Sequence, residues 1–343
     1  HLERKDERKR RTIRFFVGPS WEPWLPEDLD RGGIGGSETC VVHIARCLAA
    51  LGWTVEVYTT QLERVVHRDG VSYWNFQMFD PASHCDVLVV SRLPHLFNCE
   101  NINADLTALY NHDAADAYGT ETSPDYLGGP KLDKIDIIFM LSNWQRQQYG
   151  LFFPEVPADK FVVTRNGIDV RRFERFRRGF IPKDVRRFVY SSSADRGLEN
   201  LLEMWPQISK MDSKLRLHLY YGLDTWLKIA ERRGNSAEFD RIKAIVEACK
   251  QPGIVVHGRI GQKQLAEDFA MSNLWLYPTA FSETSCLTAM ETAAAGVHGI
   301  TSPIGALPET AAFADLIDGE NTSPEYKQAF LAKIAERLGN PDP

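Results

Sequence analysis

Two glutamates, eight residues apart, flank the start of a predicted helix, and their spacing suits the binding of a sugar diphosphate. Glu283 follows the apolar run Leu274–Tyr277, and Glu291 lies about two turns into the helix predicted over Ser285–Ala295. The first turn of a helix presents unpaired N–H groups and the positive end of the helix dipole, which suit a diphosphate. A carboxylate on either side of that turn can accept hydrogen bonds from sugar hydroxyls. The spacing alone leaves an alternative open, in which Glu283 caps the helix and Glu291 is a solvated surface residue.

A glycine-rich segment earlier in the chain is a second candidate for contact with an anion. Residues Gly32–Glu38 (GGIGGSE) precede a helical pattern that begins at Thr39 and ends at Gly52. Glycines allow the backbone to approach a phosphate closely. The segment lacks the third glycine of G-x-G-x-x-G and lies ~14 residues beyond the preceding apolar run, which disfavours a dinucleotide site. A flexible loop without a ligand is the alternative.

The elements that must carry these residues follow an alternation of buried strands and amphipathic helices. Short apolar runs predict strands in the first half at Thr12–Gly18, Trp53–Thr59, Val87–Val90, Leu106–Tyr110, Ile135–Met140 and Phe161–Thr164. Similar runs predict strands in the second half at Phe188–Ser191, Leu215–Tyr221, Ile254–His257, Leu274–Tyr277 and Val297–Thr301. Strands that alternate with helices form parallel, doubly wound sheets. The pattern therefore predicts an α/β fold of two Rossmann-like domains facing across a cleft, with ligands bound at the carboxyl ends of the strands.

The predicted domains meet near residue 170. We assign residues 12–168 to the first domain and residues 188–343 to the second, with an irregular basic linker at 169–187 between them. The arginine-rich stretch Arg171–Arg187 could attract an anionic acceptor or a membrane surface, or could simply be solvated. The charge run over residues 1–11 indicates a disordered linker or the remnant of a tag. An amphipathic pattern over Glu325–Leu338 shortly before the end suggests that the second domain is truncated and belongs to a larger multidomain chain.

The motifs along the chain resemble those of retaining glycosyltransferases of the GT-B fold, in particular glycosyltransferase family 4. The two glutamates match the Glu-x7-Glu signature of that family, and Gly32–Glu38 resembles its amino-terminal glycine loop. Further segments resemble the family in the same order: Leu109–Asp113, Leu141–Tyr149, Thr164–Asp169, Asp195–Leu198, His257–Arg259 with Gln264 and Leu265, and Gly305–Glu309. Each motif alone is weak, but eight motifs in order are specific.

The resemblance implies roles for individual residues. Glu283 would hold hydroxyls of the donor sugar and stabilise the reacting ring, and His112 would line the pocket for that sugar. Glu291 would bind the ribose of the nucleotide. The N–H groups of Ser285, Cys286 and Leu287 would meet the diphosphate, and Gly35 and Gly36 would lie close to the phosphates or the acceptor.

One departure from the family pattern affects the diphosphate. The family usually places an arginine there and a lysine five residues later, whereas this chain has Ser191 and Arg196 at those positions. Arg196 keeps a positive charge and adds a bidentate fork. Ser191 removes a charge, although the leaving diphosphate must be neutralised in the transition state. Arg196 would therefore carry more of that task as a catalytic residue, with Arg31, Arg165 or Arg259 as candidates to assist it.

The acceptor side offers weaker candidates. Trp21 and Trp24, beside the glycine-rich segment, could stack on an acceptor sugar or could pack an ordinary loop. Asp113, at the end of a predicted strand, is a further candidate. Asp28 and Asp30 have the D-x-D spacing of the metal motif in the other glycosyltransferase fold, but no apolar strand precedes them. We therefore expect neither a metal nor a cofactor.

The resulting hypothesis is transfer, with retained configuration, of a sugar from a UDP- or GDP-sugar to a glycan, lipid-linked or protein-linked acceptor. No close carboxylate pair of the retaining-glycosidase kind is evident, and none is required if the leaving phosphate helps to take the acceptor proton. One alternative is a noncatalytic sugar-nucleotide or glycan-binding module of the same fold, which Ser191 and the short carboxyl end favour. Another is an NAD-dependent oxidoreductase, which the absence of an acidic residue after the second strand at Thr59 and Thr60 disfavours.

Composition limits the partners and the cellular compartment that we expect for the protein. The formal net charge of −6 argues against a nucleic-acid partner. No apolar run reaches the ~18 residues that would span a bilayer. The six cysteines form no Cys-x-x-Cys pair. We therefore expect buried free thiols and a cytoplasmic protein, with peripheral membrane contact left as a possibility for the basic stretch.

Overall fold

The computed structural model describes residues 10–20, 23–60, 62–116, 126–178, 181–234 and 236–339. The chain divides into two compact units. The first unit comprises His1–Asp28 and Ile34–Asn166, and the second comprises Leu29–Gly33 and Gly167–Pro343.

The first unit is built on an eight-stranded sheet. Its strands are β1 (Thr12–Phe16), β2 (Thr54–Thr59), β3 (Val66–Arg68), β4 (Val71–Asn75), β5 (Cys85–Ser91), β6 (Ala104–Tyr110), β7 (Ile137–Met140) and β8 (Phe161–Val163), in the order β3-β4-β2-β1-β5-β6-β7-β8. All neighbours are parallel except β3 and β4, which are antiparallel. The short helix α1 (Asp28–Arg31) lies where the chain passes from the first unit into Leu29–Gly33 of the second. The helices of the first unit itself are α2 (Gly36–Ala50) and α3 (Asn143–Phe152), with short 3₁₀ helices at Phe76–Met78, Pro94–Asn98, Gly129–Lys134 and Ala158–Lys160.

Sequence and structure differ in two places in this unit. The helix α2 begins at Gly36 rather than at Thr39, so the glycine-rich segment supplies the cap and first turn of the helix instead of only a loop before it. The antiparallel pair of β3 and β4 was not predicted, because its strands are short and carry polar side chains. The turn between them is Asp69-Gly70, with φ of 52° and 77°. Asp-Gly is the residue pair that tight hairpins favour, and it is the signal that would have found these strands.

The second unit is built on a six-stranded sheet whose neighbours are all parallel. Its strands are β9 (Arg187–Tyr190), β10 (Arg216–Leu219), β11 (Ile254–Val256), β12 (Leu274–Tyr277), β13 (His298–Thr301) and β14 (Asp315–Leu316), in the order β11-β10-β9-β12-β13-β14. Its helices are α4 (Arg171–Arg178), α5 (Leu198–Met211), α6 (Leu223–Arg233), α7 (Ser236–Ala248), α8 (Gln262–Ala270), α9 (Leu287–Ala294), α10 (Leu307–Thr310) and α11 (Pro324–Arg337). Large buried side chains such as Trp205, Trp275 and Phe330 fill its core.

The basic stretch that we expected to be irregular contains the helix α4. Its sequence, RRFERFRR, has no broad apolar stripe, which is why periodicity alone did not predict a helix. The helix is tied to the rest of the second unit by an ion pair between Arg175 and Glu267 of α8. Farther along, the Lys183 ammonium donates to the carbonyls of Ser272 at 2.9 Å and Ala295 at 3.2 Å. Arg175 and Lys183 are therefore bound to other residues of the second unit.

The strand orders locate where each unit can bind a ligand. In the first sheet the order reverses at β1 and β5, and in the second it reverses at β9 and β12. Loops that leave the carboxyl ends of two such strands diverge and open a crevice between them. The segments after β9 and β12 are those that contain Arg196 and Glu283.

Two further expectations concern the chain as a whole. Cys40, Cys85, Cys249 and Cys286 are buried free thiols, whereas Cys47 is exposed and Cys99 is half-buried. Within the described residues, no helix combines the length and the apolar character required to cross a membrane.

Candidate active site

The carboxylate of Glu283 is buried at the carboxyl end of β12 and is held by two donors. Its Oε1 atom accepts a hydrogen bond from the phenol of Tyr277 at 2.5 Å and another from Nη1 of Arg196 at 3.0 Å. The Glu283 residue is only 4% exposed. No described residue bonds to its Oε2 atom, so the carboxylate has one oxygen fixed by the protein and one left for a ligand. Glu283 therefore does not cap the helix that follows it.

Two glycines allow the loop of Glu283 to lie where it does. Gly305 has a φ of +63°, and a Cβ atom there would lie 2.5 Å from the carbonyl oxygen of Glu283. Gly197 has a φ of +100°, and a Cβ atom there would lie 2.2 Å from the carbonyl oxygen of Pro278. Both positions combine left-handed backbone with a close approach, and only glycine tolerates that combination. The loop from Pro278 to Glu283 is therefore held by the segments after β9 and β13.

Arg196 lies between a carboxylate and an aromatic ring. Its guanidinium carbon lies 4.0 Å from the ring centroid of Phe281, in a cation–π contact. Burial is the largest single effect and lowers the pKa of Arg196, but the attraction of Glu283 and of further acidic groups nearby, taken together, raises the pKa of Arg196 above its ordinary value. The Nε atom of Arg196 is buried and has no hydrogen-bond acceptor among the described residues. Arg196 therefore remains a cation with donors to spare for an anionic ligand.

The amino terminus of α9 lies directly after this loop. Cys286 occupies its cap position and makes no capping hydrogen bond through its side chain. The hydroxyl of Ser285 is buried and has no partner in the described part of the chain. In the first turn, Leu287 is followed by Thr288, whose hydroxyl donates to the carbonyl of Ser191 at 2.8 Å. The structure thus brings Ser191, Ser285, Cys286 and Leu287 to one helix terminus whose N–H groups can face a phosphate.

Glu291, one turn farther along α9, is also buried rather than solvated. It is 9% exposed, and its Oε1 atom accepts a hydrogen bond from Nη2 of Arg172 at 2.5 Å. Burial raises the pKa of Glu291, and the nearby positive charge of Arg172 limits that rise. The sequence placed Arg172 in a linker and did not predict this contact.

In the first unit, Asp113 is held by a bidentate ion pair. Arg92 donates to its two carboxylate oxygens at 2.7 and 2.9 Å, and Nη1 of Arg92 reaches the hydroxyl of Ser37 at 3.4 Å. Arg92 itself has a φ of +66°, which is unusual for a residue other than glycine. The amide of Gln145 donates to the Asp113 carbonyl at 2.8 Å. Asp113 is therefore a structural anchor at the end of β6 as well as a candidate for acceptor contact.

His112 is the neighbour of this anchor. Its ring lies 4.2 Å from the ring of Tyr110, centroid to centroid. Burial lowers the pKa of His112 from 6.5 to about 3, with a smaller opposing effect from Asp113. The imidazole is consequently neutral at physiological pH, so it can contribute polarity and hydrogen bonding to a pocket but no positive charge.

The glycine-rich segment has its own carboxylate at the helix start. Gly35 caps α2 and Gly36 begins it. A Cβ atom at Gly35 would lie 2.2 Å from Oε2 of Glu38, which also accepts a hydrogen bond from the hydroxyl of Ser37 at 2.9 Å. The positive end of α2 is therefore occupied by an acidic side chain of its own first turn. A phosphate that approached Gly35 and Gly36 would have to displace Glu38.

The remaining candidates are placed as follows. Arg259 is exposed, and its guanidinium lies over the ring of Tyr221 at 5.8 Å from the centroid. Trp24 is only 4% exposed and packs edge-on against Tyr73, so its ring fills the first unit, as the packing alternative predicted. Trp21 lies outside the described residues.

The acidic D-x-D pair has a local role. The carboxylate of Asp28 accepts a hydrogen bond from the backbone N–H of Leu25 at 2.8 Å. Among the residues that the structure describes, no three His, Cys, Asp or Glu side chains are grouped so that they could hold a metal ion.

Sequence reasoning missed four residues that shape the site: Tyr277, Phe281, Arg172 and Gly305. The phenol of Tyr277 points back to a loop residue six positions later, which no spacing rule anticipates. Phe281 lies two residues before Glu283 and, as an exposed aromatic residue, carried only a weak signal in the sequence. Gly305 was noticed as part of a motif but not for its contact with Glu283.

Comparison with known proteins defines the class. Residues 171–342 match the family model described as glycosyl transferases group 1, which is just over half of the 343 residues. The chain therefore belongs to the glycosyl transferases group 1 family and is a glycosyltransferase. No curated protein matches the chain closely enough to count as a relative.

Solved structures agree on the fold. Sucrose-phosphate synthase from Thermosynechococcus elongatus has a TM-score of 0.65 and 18% identity, covering 96% of this chain and 94% of that one. A glycosyltransferase from Rickettsia africae has a TM-score of 0.64 and 14% identity, covering 97% and 91%. The trehalose-6-phosphate structure from E. coli, bound with UDP-2-fluoro glucose, has a TM-score of 0.64 and 12% identity, covering 96% and 93%. The fold is GT-B, as predicted.

Proposed function

We propose that the protein is a retaining, metal-independent glycosyltransferase that takes its sugar from a nucleotide diphosphate sugar. Its acceptor would be a glycan or a lipid- or protein-linked sugar acceptor. The observation that carries the proposal is the carboxylate of Glu283, whose Oε1 atom is held by Tyr277 and Arg196 while its Oε2 atom bonds to no residue that the structure describes. A buried carboxylate oxygen that the protein leaves open is suited to accept a hydroxyl of the donor sugar.

The neighbouring groups suit the rest of such a donor. The spare N–H groups of Arg196, the Ser285 hydroxyl and the first turn of α9 lie around the same loop. Negative charge grows on the leaving diphosphate in the transition state, so donors fixed around it lower the barrier. The E. coli structure similar to this chain was bound with UDP-2-fluoro glucose, which supports a nucleotide-sugar donor.

Binding is tested first. Isothermal titration calorimetry with the glucose conjugates of UDP, GDP, dTDP and ADP, and with NAD in parallel, measures which nucleotide the protein takes. We expect binding to at least one sugar nucleotide. Binding to NAD with no response to any sugar nucleotide would overturn the proposal in favour of an oxidoreductase.

Turnover is tested on the sugar nucleotide that binds. We expect slow hydrolysis, faster transfer when an acceptor is added, no effect of EDTA, and product with the donor's anomeric configuration by NMR. Glu283→Gln should abolish turnover with donor affinity changed only a few-fold. Glu247→Gln is the matched control, because its side chain is 71% exposed. Equal loss of donor affinity in Glu283→Gln would contradict its role, and binding without turnover by the unaltered protein would indicate a binding module.

A further inference from the structure

Two donors share one oxygen of Glu283, and they differ in how firmly the protein holds them. Tyr277 is the last residue of β12, and its phenol donates to Oε1 of Glu283 at 2.5 Å. Nη1 of Arg196 donates to the same oxygen at 3.0 Å. Tyr277 is 0% exposed, whereas the side chain of Arg196 is 33% exposed. The phenol is therefore the fixed donor, and the guanidinium is the donor with room to move.

The ring of Tyr277 is held in place by two other buried aromatic rings. Its centroid lies 5.1 Å from that of Trp275 on the same strand and 5.9 Å from that of Tyr190 on the neighbouring strand β9. Trp275 and Tyr190 are themselves fully buried. Because protein interiors are close-packed, the phenol cannot swing away from Glu283 unless these rings are displaced.

The phenol oxygen of Tyr277 has a second hydrogen-bond partner. Oγ of Ser192, in the segment after β9, lies 3.3 Å from it. A phenol has one hydrogen, and an ionised carboxylate only accepts hydrogen bonds. Since the phenol hydrogen is used on Glu283, the hydroxyl of Ser192 donates to the phenol oxygen. The bonds run in one direction, from Ser192 through Tyr277 to Glu283, and bonds in such a chain strengthen one another.

The two donors respond differently to a diphosphate. A diphosphate attracts the guanidinium of Arg196, and a shift of Arg196 towards it weakens the bond from Arg196 to Oε1 of Glu283. The phenol of Tyr277 is uncharged, so a diphosphate exerts no comparable attraction on it. Tyr277 is accordingly the donor that keeps the carboxylate oriented when Arg196 is engaged elsewhere.

We propose that Tyr277 is a positioning residue, supported by Ser192, which fixes the carboxylate of Glu283 while Arg196 turns to the diphosphate of the donor. This inference rests on the proposed function, since it requires a sugar nucleotide. The orientation of Glu283 matters most in the transition state, and a misplacement of about 1 Å at a reacting centre can cost about 100-fold in rate. The loss of Tyr277 should therefore affect turnover far more than donor binding.

The experiment separates turnover from binding. Initial rates of nucleotide release from the sugar nucleotide that binds give kcat, and isothermal titration calorimetry gives Kd for the same compound. In Tyr277→Phe we expect kcat to fall at least about tenfold while Kd changes less than about threefold. Ser192→Ala leaves the phenol in place and removes only its supporting bond, so kcat should fall by about two- to fivefold.

Tyr326→Phe is the matched control. Tyr326 lies in the same core, is 1% exposed, and its phenol is hydrogen-bonded to the hydroxyl of Ser302 at 2.7 Å. The substitution removes a buried phenol hydrogen bond that does not involve Glu283. We expect a comparable shift of the midpoint of unfolding in urea for Tyr326→Phe and Tyr277→Phe, but unchanged kcat in Tyr326→Phe alone.

The outcomes separate this inference from the function beneath it. No binding or no turnover of any sugar nucleotide by the unaltered protein refutes the proposed function and the inference together. Unchanged kcat in Tyr277→Phe refutes the inference alone. An equal loss of kcat in Tyr326→Phe also refutes it, as does a rise in Kd as large as the loss of kcat. If circular dichroism shows that Tyr277→Phe is unfolded, Ser192→Ala decides, and unchanged kcat there overturns the inference.

Discussion

Gly305 is the point at which the segment after β13 meets the backbone of Glu283. Its φ is +63°, and a Cβ atom there would lie 2.5 Å from the Glu283 carbonyl oxygen, where ordinary contact begins at 3.4 Å. Gly305→Ala must therefore move that backbone by roughly 0.9 Å, the difference between the two distances, because a packed interior cannot absorb the overlap. A misplacement of about 1 Å at a reacting centre can cost about 100-fold in rate. We expect kcat for the sugar nucleotide to fall by about that factor.

Gly234 provides the control for backbone strain. Its φ is +66°, and a Cβ atom there would meet nothing within 4 Å. Alanine in left-handed backbone costs about 1–2 kcal/mol at either glycine, but only the change at Gly305 reaches Glu283. Urea unfolding measures the shared strain, and initial rates of nucleotide release measure the effect on Glu283. Unchanged kcat in a folded Gly305→Ala protein, or an equal loss of kcat in Gly234→Ala, would refute this reasoning.

Three further predictions concern stability. Tyr277→Phe removes a donor to the buried carboxylate of Glu283 and should lower the free energy of unfolding in urea by about 1.5–3 kcal/mol; a change below about 0.5 kcal/mol would contradict the contact. Because the pKa of His112 is lowered by burial from 6.5 to about 3, the unfolded chain binds more protons between these values and stability falls as the pH falls below 6.5. His112→Gln should flatten that part of the stability curve, and an unaltered slope would count against a neutral His112. The hydrogen bond from Arg337, with a smaller contribution from His298, lowers the pKa of Asp315 from 3.8 to about 2, so these contacts stabilise the protein above pH 3.8 and lose this effect as the pH falls towards 2. Asp315→Asn should melt below the unaltered protein at pH 7 but converge with it near pH 2, and a constant difference would be evidence against the pair.

The elements were predictable wherever local pattern decides structure. The four-residue apolar run Leu274–Tyr277 is β12, with the bounds that the sequence predicted. A strand that is buried on both faces is a continuous apolar run, so composition alone predicts it. The end of that run and the helix predicted from Ser285 likewise placed Glu283 in the loop between them. Such local patterns predict an element without any knowledge of the residues that it contacts in the folded protein.

The contacts that hold the site were not predictable, because they join distant parts of the chain. The ion pair of Arg172 with Glu291 depends on how α4 packs, and a helix of mostly charged residues has no apolar periodicity to reveal its packing. Trp24 shows that the role of a single aromatic residue is equally hard to predict from sequence. A tryptophan in a loop suits a sugar-stacking surface and a packed interior equally well by composition, and only the neighbouring Tyr73 decides between them.

Glu283 is also the counter-ion of Arg196 when no ligand is bound. A free phosphate ion would have to compete for Arg196 with a carboxylate 3.0 Å away, which Tyr277 keeps in place. It would bring no hydroxyl for Glu283 in exchange. A sugar diphosphate brings hydroxyls and phosphates together and can engage both charges at once. The ion pair would thus disfavour binding of inorganic phosphate. It would favour a molecule that carries both hydroxyls for Glu283 and phosphates for Arg196.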